Sequence, residues 1–127
     1  MPYHVSLEQK PGYLHAVVTG ENSAENVAAY YRDVLQACRE HQCYRVLVEE
    51  RLEGPRLKMM DVFRIASEGS AAAAGIIQAL AYVDVNAEGD LMQFAETVGV
   101  NRGIPVRLFA TVDEAEQWIS ARGCRDK

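Results

Sequence analysis

The sequence predicts an α/β domain of order β-β-α-β-α-β-α-β-α: a five-stranded, mostly parallel sheet with an antiparallel N-terminal hairpin and four helices. Three observations carry this. Tyr3, Val5 and Leu7 alternate with His4, Ser6 and Glu8 just ahead of Pro11-Gly12, the pattern of a half-buried strand entering a turn. Short apolar runs then alternate with segments of helical period, and crossovers of that length imply parallel, right-handed connections. The run from Ile104 to Ile119 reads as a short strand, a capped turn and an amphipathic closing helix.

Taken in order, Pro11 presets the first turn dihedral and Gly12 supplies the positive φ of a type II turn, so the chain reverses into a second strand over Tyr13 to Thr19. Gly20 to Asn22 breaks the pattern, and either Asn22 or Ser23 offers an N-cap. Val27, Tyr30, Tyr31, Val34, Leu35 and Cys38 then share a broad helical face from about residue 24 to 40. Val46-Leu47-Val48 is a short buried strand that ends in Glu49-Glu50-Arg51. A loop through Glu53-Gly54-Pro55 leads to a helix from Leu57 to Gly69 or a little beyond, marked by Met59, Val62, Phe63 and Ala66, while Ser70 to Gly75 is ambiguous. Ile76 to Val83 supplies a strand, and Leu91, Phe94, Ala95 and Val98 a helix that stops near Asn101 to Gly103. Val106 to Phe109 is the last strand. Thr111 and Glu114 form a capping box for the helix to Arg122, with Gly123 suited to its left-handed C′ position.

A chain of 127 residues with 49% hydrophobic and 24% charged residues has the composition of one globular domain, 1–127, able to bury a core without disulfides or metal. The longest weakly polar stretch, Ala71 to Val83, is too short to span a bilayer. Cys38, Cys43 and Cys124 are odd in number and lack C-x-x-C spacing, and the N-terminus has no export signal, so a cytoplasmic protein is expected. A net charge of −5 with scattered basic residues argues against a nucleic-acid partner.

The strand-loop-helix from Val46 to Ala66, Ala81-Tyr82-Val83 followed by Asp90 to Glu96, and the run Val106 to Ile119 together resemble the STAS-like proteins of the SpoIIAA-like, anti-sigma-factor-antagonist superfamily, in an uncharacterised bacterial branch. The resemblance covers nearly the whole chain, and that fold has a structural kinship with the CRAL-TRIO lipid-transfer fold. It implies a signalling or protein-interaction role. Regulatory members carry a phosphorylated Ser or Thr in the loop after the third strand. From Tyr44 through Ala66 this chain has no Ser or Thr, and Ser67 and Ser70 lie near the far end of the expected helix, where the dipole disfavours phosphate. A phosphorylation switch of that kind is therefore not expected.

No motif compels catalysis. Glu49 and Glu50 point to opposite faces of a strand, which suits a strand end reaching solvent better than a catalytic carboxylate pair. His4 and His15 are expected to face each other across the hairpin without a third metal ligand, and Cys38, His41 and Cys43 lack a second ligand pair. Ser67-Glu68-Gly69-Ser70 is no nucleophile elbow, and the glycines form no phosphate loop. No catalytic residue, metal or cofactor is expected.

The surplus apolar residues are more informative. Met60 lies about 100° around the helix from Met59, and Tyr30 with Tyr31 likewise widens the first helix's apolar arc, so a homodimer or a ligand-facing helix is expected. The contact surface assigned from sequence comprises Glu50, Arg51, Glu53, Arg56, Met59, Met60 and Phe63. The leading expectation is a non-enzymatic regulatory or protein-interaction domain. The alternative is a carrier holding an apolar, lipid-like small molecule between the Met59/Phe63 helix and its neighbour, with Met92 and Phe94 contributing.

Overall fold

The computed structural model describes residues 3–54, 58–73, 75–84, 97 and 106–121. Strands β1 (Tyr3–Lys10) and β2 (Tyr13–Glu21) form the expected antiparallel hairpin, closed by Pro11 and by Gly12 at φ 89°. Helix α1 (Ala24–His41) follows, then β3 (Arg45–Glu53), α2 (Met59–Ala73), β4 (Ala79–Asp84), β5 (Val106–Phe109) and α3 (Val112–Ala121). The sheet order is β1-β2-β3-β4-β5, with every pairing after the hairpin parallel. Three helices lie among the described residues; the helix expected over Leu91 to Val98 and the Gly123 cap fall outside them.

Ser23 caps α1 by accepting from the Asn26 N–H at 3.1 Å, which decides between the two N-cap candidates. At the other end Gln42 adopts the left-handed conformation at φ 52°, and the Cys43 N–H reaches the Cys38 carbonyl at 3.1 Å. Thr111 caps α3 as expected, accepting from the Glu114 N–H at 3.2 Å.

Several bounds differ from expectation for physical reasons, β2 among them, which runs to Glu21 instead of Thr19. Strand β3 does not stop at Val48 but runs on to Glu53, because β2 pairs with it through Glu21 and the Asn22 N–H donates to the Glu53 carbonyl at 2.6 Å. Helix α2 absorbs the small residues up to Ala73, so β4 begins at Ala79 instead of Ile76.

Alternation along the strands produces two apolar layers. Leu14, Ala16, Val18, Val46, Val48 and Leu80 face α1 and the inner side of α2, together with Val27, Tyr30, Val34, Leu35 and Cys38. Leu47, Ala79, Ala81 and Val83 face Ala115 and Ile119 of α3 on the other side. Sequential right-handed crossovers explain why α1 and α2 share a face. Across the sheet, α3 covers β3 and β4 but not β1.

Tyr30 and Tyr31 do not widen an outward surface. Tyr30 is buried, and Tyr31 lies over α2, where a methyl on Gly69 would stand only 2.8 Å from its ring, so glycine permits the close approach. Burial, with a smaller contribution from Cys38, pushes the Tyr31 hydroxyl up from 10.0 to about 12. A phenol whose folded pKa exceeds its unfolded one stabilises the fold fully below pH 10 and loses that contribution as pH rises towards 12. Urea titrations should therefore show stability falling by about 2 to 3 kcal/mol over that window from this group. Tyr31→Phe should flatten the fall, and an unchanged slope in the variant would refute the assignment.

Candidate functional site

The central strand β3 carries two adjacent glutamates, and alternation sends them to opposite faces of the sheet as expected. Neither reaches solvent. Glu49 is 5% and Glu50 4% exposed, which corrects the expectation of a solvated strand end. The cause is the continued strand: with β3 paired through Glu53, both side chains lie inside the sheet's two layers.

On the helix side, Glu50 accepts hydrogen bonds through Oε2 from the Tyr30 hydroxyl of α1 and from the Tyr82 hydroxyl of β4, the latter at 2.6 Å. The two hydroxyls are themselves 3.1 Å apart. Glu50 stands in register with Val18 of β2 and Asp84 of β4, at the C-terminal end of the parallel strands. Two phenolic donors converge on one carboxyl oxygen, so the buried acceptor is satisfied. Tyr30 is held by α1's apolar face and Tyr82 by its register opposite Val48.

On the other side, Glu49 Oε1 lies 3.1 Å from His15 Nε2, and its Oε2 accepts from both Nε and Nη2 of Arg51. The His15 side chain is nearly covered, whereas the Arg51 side chain is half exposed. A carboxylate that orients an imidazole is a component of acid–base sites. Among the described residues the His15 side chain bonds Glu49. His4 and His15 do not face each other, because the hairpin register sets His4 opposite Thr19 and His15 opposite Glu8. Cys38 and Cys43 are buried thiols outside any disulfide, His41 is 3.2 Å from Gln9 Oε1, and no metal-binding cluster occurs among the described residues.

The surface assigned from sequence is divided by the fold. Glu50 is inside the helix layer, while Arg51 is bound to Glu49 on the far face. Glu53 is exposed at the end of β3. Met60, 77% exposed, and Phe63, 41% exposed, lie one turn apart on α2. Arg56, Met92 and Phe94 and the Met59 side chain lie outside the described residues. An open groove of about 530 Å³ lies elsewhere, between β5 and α3, with Arg107, Glu114 and Gln117 among its walls beside the Phe109 and Trp118 rings. That mixed lining favours no apolar cargo.

Sequence reasoning missed Tyr30, Tyr82 and His15 as partners of the glutamates. The available signal was parity: residues two apart on β3 share a face, so Glu50 follows Val46 and Val48 into the layer beneath α1, where the Tyr30 and Tyr82 hydroxyls supply donors. No protein-family model matches the chain, and no curated protein matches it in sequence. No helix among the described residues is long and apolar enough to cross a membrane.

Proposed function

We propose that this chain is a protein-interaction domain of STAS-like fold that acts by binding a partner protein and not by catalysis. The outward face of α2 is its contact surface. The single observation behind this is the pair Met60 and Phe63, large apolar side chains that the fold leaves exposed one turn apart on the helix following β3. Asp61 and Arg64, 3.6 Å apart, add a polar edge beside them. An apolar centre with a charged rim is the usual anatomy of a contact patch. The hairpin followed by sequential parallel strands and a capped closing helix supports the STAS-like reading. The absence of Ser and Thr from Tyr44 to Ala66 supports partner binding without the phosphorylation switch.

The test is capture of the partner from source cells by in-cell cross-linking to the tagged chain. Substituting Met60→Glu together with Phe63→Glu should lower recovery of the partner about tenfold or more, on the scale of a lost interface hot spot. The circular dichroism spectrum should stay close to wild type, because Met60 is 77% and Phe63 41% exposed. Gln117→Glu, an exposed residue on a different element, serves as the control that retains the partner. Equal recovery by all three proteins, or no partner with wild type, rejects the surface.

A further inference from the structure

We infer that the outer edge of β1 is a self-association surface, on which a second copy of this chain adds its own β1 antiparallel to make a continuous ten-stranded sheet. The inference is independent of the α2 reading. Among the described residues β1 pairs on one side only, and its pairing with β2 runs unbroken from Tyr3 to Lys10. No proline or bulge interrupts it, although edge strands are ordinarily blunted by such devices. Lys10 and Tyr13 flank the two-residue turn and so form a hydrogen-bonded pair, and alternation makes the even residues of β1 bond β2. Tyr3, Val5, Leu7 and Gln9 therefore aim their N–H and C=O groups outward.

That parity restricts a twofold pairing to registers in which outward residues meet. In the register centred on Ser6, Val5 meets Leu7 of the second copy, Tyr3 meets Gln9, and His4 meets Glu8, each twice. Leu7, 40% exposed in the single chain, gains an apolar neighbour on the α1 side. On the other side His4, Ser6 and Glu8 are all exposed, and each His4 gains a carboxylate. Shifting the pairing so that Val5 meets itself pairs only Tyr3 to Leu7. Shifting it so that Leu7 meets itself sets His4 against Lys10, a second donor already held by Glu8 at 3.3 Å. Strand length and the His4–Glu8 donor–acceptor match therefore select the Ser6-centred register. The occupant is accordingly another copy of this chain.

Sedimentation of the full chain should give twice 14.1 kDa. Ser6→Lys places two ammonium groups face to face across the twofold axis and should return the mass to 14.1 kDa with the circular dichroism spectrum unchanged. The register is read by cysteine pairing with Cys124 replaced by serine, since Cys38 and Cys43 are buried. Ser6→Cys should oxidise to a covalent dimer, because directly opposed Cβ atoms lie within disulfide reach. His4→Cys should not, since its counterpart stands four residues along the strand, roughly 13 Å away. A wild-type monomer into the high micromolar range overturns the inference. So does a dimer indifferent to Ser6→Lys, or one that dissociates with Met60→Glu and Phe63→Glu instead, which locates self-association on α2.

Discussion

The double substitution Tyr30→Phe with Tyr82→Phe is expected to cost about 3 to 5 kcal/mol of folding stability, because two buried hydrogen bonds to one carboxyl oxygen are lost together. Two donors to Glu50 Oε2 disappear while the carboxyl group stays 4% exposed between α1 and β4. Removing the carboxyl group is the milder change. Glu50→Ala should cost about 2 to 4 kcal/mol, because two phenols lose an acceptor and a cavity opens, yet the hydroxyls, 3.1 Å apart, retain each other. Adding Glu50→Gln to the double variant should recover part of its loss. Urea unfolding followed by circular dichroism decides this. A double variant within about 1 kcal/mol of wild type would show that the cluster contributes little beyond an ordinary hydrogen bond.

Leu47→Ala should be comparably damaging on the other face, at about 2 to 5 kcal/mol. Leu47 is fully buried beneath Ala115 and Ile119 and beside Ala81 and Val83, where alanine and valine neighbours are too short to collapse into the space. Trp118, the chain's single tryptophan, sits on α3 against Phe109 with ring centroids 5.6 Å apart, so its fluorescence reports the layer directly. The urea midpoint read from Trp118 should fall by one to two molar, given typical slopes for small domains. A shift under about 0.3 M would mean that the layer repacks around the missing atoms.

The hairpin, the parallel crossovers and the two helix caps were legible because each rests on local chemistry: Pro11-Gly12 at a turn, Ser23 and Thr111 before helices, alternation in the strands. The length of β3 was not, because Glu49-Glu50-Arg51 reads locally as a solvated end, and only pairing with β2 on one side and β4 on the other keeps the strand going. Tyr30 had the same ambiguity. Its ring belongs to an apolar helix face, and nothing in its neighbours reveals that its hydroxyl meets a glutamate twenty residues on. Opposite-face placement of the two glutamates followed from parity alone, whereas their burial depended on tertiary layers. The exposed Met60 was legible from its angle to Met59, since among the described residues no second sheet absorbs so wide an apolar arc.

The sequential sheet order bears on how the chain is made. Every strand docks beside the one before it, so the sheet can grow at the pace of synthesis, each addition closing a loop of one β-α unit instead of recruiting a distant partner. The second face follows a different schedule. Leu47, Ala81 and Val83 belong to β3 and β4, but their cover, Ala115 and Ile119, leaves the ribosome some thirty residues later. For that interval a nascent chain presents a sheet still gaining its last strand with one oily side bare, and that side is where a holdase chaperone would find it.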